Sequence, residues 1–208
     1  MIKKAVPITL LIIYLAEVLI LGIAPADRTV WLSENIVAWI PAVFLVFMYY
    51  RGIRFSGMAY FSMWLWFVLH TIGGHFTFAE VPFDFVTETC GFERNHFDRV
   101  CHFLVGGFAY PAMEALEKYD FVKNRIVAFT VTVMAVFGFA GIFEIIEWLY
   151  AVWSSPEAGT AFLGSQGDVW DAQKDILADG TGAILFATIY CIKEPISKVL
   201  KIVKEPSL

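Results

Sequence analysis

The residues best suited to chemistry in this chain are acids and imidazoles that interrupt strongly apolar segments. They recur at helical spacings, as Asp98 with His102, as Glu144 with Glu147, and as Asp171 with Asp175 and Asp179. Residues three or four apart share one face of a helix. Because an ionisable side chain is costly in hydrocarbon, such residues usually face the interior of a helix bundle and carry function. We therefore expect these faces to meet.

Imidazole and carboxylate side chains together form a ligand set for a divalent metal ion, with zinc or manganese the best matches. Carboxylates packed closely repel one another, and a cation removes that repulsion. We predict a metal site whose inner ligands are His102, Glu144, Asp175 and Asp179. Asp98 and His70 are predicted as further ligands, and Glu147 and Asp171 as catalytic carboxylates. An Asp beside a metal-bound histidine can instead orient the imidazole from behind.

Several of these residues also allow a purely structural interpretation. His70 follows an aromatic run and could be satisfied by a backbone or hydroxyl partner. Asp98 could form an interfacial ion pair with Arg99. Asp168 and Asp171 suit a helix N-terminus, where capping and the helix dipole favour acids. The choice between a functional and an internally satisfied side chain also stays open for His75 and Glu17.

The elements that position these residues are predicted to be membrane helices. Of the 208 residues, 59% are hydrophobic, above the roughly 45–50% of a soluble domain. A span needs about 20 predominantly apolar residues. Six segments qualify, at about 6–24, 35–50, 57–78, 97–116, 125–153 and 169–192. The predicted fold is an all-α, polytopic integral membrane protein with a single transmembrane domain over residues 1–208.

The distribution of Lys and Arg predicts the orientation, since cytoplasmic loops are enriched in both. One side of the predicted topology holds Lys3, Lys4, Arg51, Arg54, Lys118, Lys123, Arg125, Lys193, Lys198, Lys201 and Lys204. The other side holds Arg28, Arg94, Arg99 and Lys174. Both termini are therefore predicted to be cytoplasmic, with the acidic 80–94 loop outside. A rise of about 1.5 Å per residue then places the acids and histidines in the outer half of the membrane.

Small residues extend the polar faces. Gly106 and Ala109 follow His102, Gly141 precedes Glu144, and Gly182 follows Asp179. Small residues let membrane helices approach closely. Each polar face is therefore expected to pack against another helix rather than lipid, whereas the Gly-, Ser- and Pro-containing segment 154–167 reads as a loop.

Some functions are disfavoured. The chain has no Gly-x-Ser-x-Gly sequence and no Gly-rich phosphate loop, which argues against Ser-nucleophile and nucleotide chemistry. No basic tract interleaved with aromatics indicates nucleic acid. Cys90 and Cys101 fall on the same predicted side and could pair, although free thiols are the simpler interpretation.

Three motifs resemble those of the YjdF-type family of bacterial inner-membrane proteins. They are the segments 97–103 (FDRVCHF), 143–148 (FEIIEW) and 167–179 (GDVWDAQKDILAD). This resemblance implies a multi-pass protein of the cytoplasmic (inner) membrane rather than a particular activity. The order of an Asp-x-x-x-His helix, a Glu-bearing helix and an Asp-rich helix is also similar to the VanZ-like family, which is linked to glycopeptide resistance.

Three functions fit these residues. The first is a metal-dependent hydrolase or transferase acting on a lipid-linked or envelope substrate, with a carboxylate such as Glu147 as general base. The second is a proton- or cation-coupled transporter, because Asp, Glu and His also form proton relays. The third is a non-catalytic metal-binding accessory protein. The metal, the substrate and the oligomeric state are left open by the sequence.

Overall fold

The computed structural model describes residues 5–154, 156–163 and 165–194, and within these ranges the chain is all-helical without strands. The helices are α1 (Ala5–Leu21), α2 (Arg28–Tyr50), α3 (Gly57–Phe76), α4 (Asp84–Cys90), α5 (Phe97–Val105), α6 (Ala109–Lys118), α7 (Arg125–Trp153), α8 (Pro156–Leu163) and α9 (Asp171–Lys193). A 3₁₀ turn, Gly106–Phe108, joins α5 to α6. The all-α prediction is confirmed. Five of the lysines used for orientation, at positions 3, 4, 198, 201 and 204, lie outside the described residues.

Within the described ranges, three helices are long and apolar enough to cross a membrane. They are α2, α7 and α9, while α1 is apolar but shorter. This agrees with the predicted helical membrane protein. The number of six spans and the side of each terminus stay predictions.

Helix α2 begins seven residues earlier than the predicted segment 35–50. The Asp27 carboxylate accepts hydrogen bonds from the backbone N–H groups of Thr29 (2.7 Å) and Val30 (2.9 Å). Such an N-cap satisfies amide groups that the first turn leaves unpaired. Hydropathy located only the apolar part of this helix, whereas the cap sets its start. The earlier start of α2 places Glu34 inside this helix, where it is buried.

The predicted span 97–116 is not one continuous α-helix, because the Gly106–Phe108 turn interrupts it. At Gly107 an added Cβ would lie 2.9 Å from the carbonyl oxygen of Ser62 in α3. The Ser62 hydroxyl donates a hydrogen bond to the Gly107 carbonyl at 3.0 Å. The 3₁₀ turn therefore lies where α3 passes close to it, and the Ser62 hydroxyl is a hydrogen-bond donor to one of its carbonyl groups.

The segment 154–167 is not wholly a loop, since it contains α8. The Phe162 ring lies 4.2 Å, centroid to centroid, from that of Tyr150 in α7. Tyr150 in turn accepts a 3.4 Å hydrogen bond from Ser33 of α2. Aromatic packing therefore folds α8 back on the bundle, which turn-residue composition alone did not indicate. The acidic 80–94 segment likewise contains a short helix, α4.

The bundle is organised around α3 and α9. Helix α3 packs against α1, α2 and α5, and α9 packs against α5, α6 and α7. The main core contains Met63 and Phe67 of α3, Tyr110 and Met113 of α6, and Phe186 of α9, among others. A smaller cluster of Phe78, Val81, Phe97 and Cys101 closes the end at which α3 stops and α5 starts. All cysteines in the described residues are free, as the simpler interpretation predicted.

Two of the predicted small residues set the closest helix contact of the site. A Cβ on Gly182 would lie 1.9 Å from the Phe103 carbonyl oxygen, and one on Gly106 would lie 2.2 Å from the Ala183 nitrogen. Helices α5 and α9 therefore touch backbone to backbone just beyond His102 and Asp179. Gly141 differs from the prediction, because a Cβ there would meet nothing within 4 Å.

At the end of the bundle where α6 meets α7, one carboxylate joins three helices. Arg125 of α7 donates two hydrogen bonds to Glu117 of α6, at 2.5 and 2.6 Å. The hydroxyl of Tyr190 in α9 donates a third at 3.0 Å. Both charged side chains are largely buried, so this ion pair is screened little by solvent.

Replacing Glu117 with Gln is expected to lower the free energy of unfolding by about 2 kcal/mol, less than the full cost of breaking a buried ion pair because the Arg125 side chain is 17% exposed. The change removes the charge opposite Arg125, and breaking a buried pair leaves an uncompensated charge. The Tyr190→Phe variant should cost less, about 1 kcal/mol, because it removes a single hydrogen bond. Unfolding of purified protein in detergent measures both. Equal losses in the two variants would contradict the ion-pair assignment.

Candidate metal centre

Helices α5 and α9 form a ladder in which basic and acidic side chains alternate. Arg99 and His102 lie three residues apart on α5, and Asp171, Asp175 and Asp179 lie four apart on α9. Arg99 contacts Asp171 and Asp175, while His102 contacts Asp175 and Asp179. The predicted meeting of the α5 and α9 polar faces is thus observed.

Three side chains bring potential metal ligands to one point. One ligand atom each from Asp98, His102 and Asp175 lies within 4.8 Å of the other two. His102 Nε2 lies 3.7 Å from Asp98 Oδ1 and 3.9 Å from Asp175 Oδ1. His102 and Asp175 are buried, and Asp98 is nearly so. These separations exceed hydrogen-bond lengths but suit three ligands around one ion.

Asp179 contacts the opposite side of the same imidazole. Its Oδ2 lies 3.1 Å from His102 Nδ1, whereas its Oδ1 is buried without a hydrogen-bond partner. In metal sites the second ring nitrogen of a ligating histidine commonly donates to a carboxylate, which fixes the tautomer and the ring orientation. Asp179, predicted as an inner ligand, therefore has the geometry of a supporting residue.

Two arginines that were not among the predicted site residues hold Asp171. Arg94 Nη1 donates to Asp171 Oδ1 at 2.6 Å, and Arg99 Nη2 contacts the same oxygen. Arg99 Nη1 also donates to Asp175 Oδ1 at 2.8 Å. Asp171 Oδ1 is therefore held by two guanidinium groups, and the role of Asp171 as a catalytic carboxylate stays a prediction. Arg99 forms its ion pairs with Asp168, Asp171 and Asp175 rather than with Asp98, the partner that the sequence had suggested.

Asp168 and His96 lie just outside the predicted spans, at the end of the ladder where α5 and α9 begin, which we call its mouth. Lys174 donates a 2.6 Å hydrogen bond that holds the pKa of Asp168 below its ordinary value, so this acid stays charged beside Arg94 and Arg99. Burial, followed by the nearby Arg94, Arg99 and Lys174 charges, lowers the pKa of His96. His96 is therefore neutral near pH 7 and adds no charge at the mouth.

Glu144 and Glu147 of α7 face the same region. Glu144 Oε1 is buried without a hydrogen-bond partner, and Glu147 is 9% exposed. Both carboxylates lie within electrostatic range of His102 and Asp98. Helix α7 therefore lies beside the site, whereas Glu144 is not among the three grouped ligand residues, and the roles predicted for the two glutamates stay predictions.

His70 lies in a separate buried contact. Its Nε2 is 3.1 Å from the Glu34 carbonyl oxygen and 3.4 Å from Glu34 Oε2. This matches the structural interpretation, a histidine satisfied by a backbone partner, and it places His70 outside the grouped ligands. His75 is similar, with Nδ1 2.7 Å from the Leu21 carbonyl oxygen.

Glu34 is the acid that the sequence analysis missed. It is 2% exposed, and its carboxyl group lies within electrostatic range of Asp98 and His102. The sequence feature that could have located Glu34 is Asp27. An N-cap at that position starts α2 earlier in the chain and puts Glu34 about two turns inside the helix.

Comparisons with known proteins agree with this architecture. Residues 6–194 match the family described as "Predicted membrane protein (DUF2238)". The chain belongs to this family. It is also 33% identical over 195 residues to the inner membrane protein YjdF of Escherichia coli (strain K12), which covers 90% of this chain and 89% of that protein. No solved structure matches the chain significantly.

The family membership confirms the YjdF-type resemblance and the location in the bacterial inner membrane. The VanZ-like resemblance stays a prediction. Two of the three motifs that carried the resemblance, 97–103 and 167–179, supply the residues of the α5–α9 ladder.

Proposed function

We propose that Asp98, His102 and Asp175 bind a divalent metal ion, zinc or manganese, and that the protein is a metal-dependent hydrolase or transferase. The proposal rests on one observation: three ligand atoms from these residues lie within 4.8 Å of one another. The contact between Asp179 and the second nitrogen of His102 supports it.

The charges around this point fit a cation. Two carboxylate oxygens near this point, Asp179 Oδ1 and Glu144 Oε1, are buried without hydrogen-bond partners. Buried acceptors left in this state are costly, and an ion is one common explanation for them. A nitrogen and two carboxylates suit zinc or manganese better than the all-oxygen preference of magnesium or calcium. Arg94 and Arg99 compensate only part of the acidic charge, at Asp171 and Asp175.

In this proposal the other side chains of the site have separate roles. A bound metal would supply Lewis acidity toward a substrate oxygen and toward water. Glu147 and Glu144 face the site and accept the proton released by water. Asp179 orients His102, and Arg94 and Arg99 fix Asp171 and Asp175 in place. The last pairing makes Asp171 a positioning residue in this proposal, rather than the catalytic carboxylate that the sequence suggested.

The proposed topology limits the substrate. We propose six spans with both termini cytoplasmic, which places the α5–α9 ladder near the outer face. A site at that depth is reached from the outer leaflet or the extracytoplasmic space. The proposed substrates are accordingly lipid-linked or other envelope molecules.

Elemental analysis of the purified protein tests the proposal directly. We expect about one zinc or manganese per chain after dialysis, and loss of that metal on treatment with a strong chelator. Absence of any transition metal after loading would refute the metal site and favour the proton- or cation-transport alternative. Stoichiometric metal without hydrolysis or transfer on envelope lipids would favour the accessory role.

A further inference from the structure

An apolar cleft of about 290 Å³ lies among α1, α2 and α3, away from the ionisable ladder. Its walls include Leu10 and Tyr14 of α1, Leu45 of α2, and Met63 and Phe67 of α3. An apolar cavity of this kind does not hold ordered water. Left empty, its walls would forfeit dispersion contacts. In a membrane-spanning bundle, hydrocarbon is the natural filling.

At one end of the cleft, tyrosines form the lining and an arginine lies beside them. Tyr49 and Tyr60 line it, and the Arg54 guanidinium carbon lies 4.9 Å from the Tyr49 ring centroid. Arg54 Nε is buried and has no hydrogen-bond partner. A buried charged donor left in this state favours an anionic ligand, because an unmade hydrogen bond to a charged group is costly.

The charges around Arg54 strengthen this inference. Lys118 Nζ lies 2.5 Å from the Arg54 carbonyl oxygen, so a second cation stands at the same loop. The nearby Glu114 carboxylate is already bonded to the Ser56 backbone N–H, at 2.8 and 3.0 Å. An incoming anion would therefore meet Arg54 and Lys118 without displacing an ion pair of Glu114.

We propose that this cleft binds an anionic phospholipid, with one acyl chain between α1, α2 and α3 and the phosphate at Arg54. The site is independent of the proposed metal centre. The juxtaposition of an apolar cleft and a buried arginine donor at its end distinguishes a lipid from a second copy of the chain, which would need no anion at this position.

The test uses the full-length protein in detergent, dioleoyl phosphatidylglycerol as the probe, and native mass spectrometry to count bound lipid. Dioleoyl phosphatidylcholine is the head-group control, and dihexanoyl phosphatidylglycerol is the chain-length control. We expect the wild type to retain one dioleoyl phosphatidylglycerol and to bind dioleoyl phosphatidylcholine about fivefold or more weakly, as expected for one favourable basic contact. Dihexanoyl phosphatidylglycerol should also bind more weakly, because its short chains bury less apolar surface.

Two matched pairs of variants locate the site. Ala42 lines the cleft, whereas its neighbour Val43 is 68% exposed outside it. Ala42→Phe should abolish lipid retention, and Val43→Phe should leave it unchanged. Arg54→Gln should remove the preference for phosphatidylglycerol, while the exposed Arg51→Gln should keep it.

Equal retention by the wild type and Ala42→Phe would overturn the proposal, as would equal binding of the two dioleoyl lipids. A lipid-free dimer as the stable species would do the same and would assign the cleft to a second copy. If Ala42→Phe does not fold, the wild-type lipid comparison and the Arg54 and Arg51 pair still decide the outcome. Metal content is not expected to change in any of these variants, so failure here is distinct from failure of the metal site.

Discussion

Replacing Gly182 with alanine is expected to destabilise the protein by about 3 kcal/mol, the upper range for adding a methyl group to a packed core. The new Cβ would lie 1.9 Å from the Phe103 carbonyl oxygen, a backbone atom that cannot rotate away. Helices α5 and α9 would have to separate. For a chain of this length the midpoint of thermal unfolding should fall by roughly 6–12 °C.

The matched control for this substitution is Gly138→Ala in α7. A Cβ at Gly138 meets nothing within 4 Å, so the same chemical change should leave the unfolding midpoint almost unaltered. Gly106→Ala probes the other side of the contact, where the Cβ would lie 2.2 Å from the Ala183 nitrogen. Similar midpoints for Gly182→Ala and Gly138→Ala would show that the close approach of α5 and α9 does not hold the fold.

Replacing His102 with alanine is expected to remove the bound metal completely. The change deletes the nitrogen ligand between Asp98 and Asp175. Asp179→Asn is expected to weaken metal binding by roughly 10–100-fold, the usual cost of losing the partner that orients a ligating histidine. Elemental analysis and titration of the chelator-treated proteins measure the two effects, and the proposed order is His102→Ala more severe than Asp179→Asn.

The control for these variants is His96→Ala, which removes a histidine of the same region that is not among the grouped ligand residues. It should bind metal like the wild type. Size-exclusion profiles of all three variants check that the bundle is intact. Wild-type metal content in His102→Ala would be incompatible with the proposed centre, whatever the activity of the protein.

The faces of the site were predictable because helical spacing is a local property. Asp98 with His102, and Asp175 with Asp179, share helix faces whatever the fold, and their cost in hydrocarbon forces these faces inward. Gly106 and Gly182 marked the contact for the same reason. Gly141 did not, because a small residue permits close approach but does not supply a partner helix.

The partners of each acid were not predictable, because they depend on the register between helices. The sequence did not indicate the partners of Asp171 and Asp175. In the structure Arg94 and Arg99 pair with Asp171, while Arg99 and His102 contact Asp175. Arg99 resembled an interfacial residue in the sequence, and its pairing emerges only once α5 lies against α9. Glu34 was missed because hydropathy does not report where a capped helix begins.

The sequence by itself determined that this protein is a helical membrane protein of the DUF2238 family with acidic and histidine-bearing faces buried in its bundle. Composition, apolar length and the cost of charge in lipid act on any fold the chain adopts. Only the tertiary structure decided which of those groups lie within reach of one ion, which are neutralised by arginine, and which merely satisfy a carbonyl. Distances of a few ångströms between residues more than 70 positions apart follow from helix packing, which no single segment encodes.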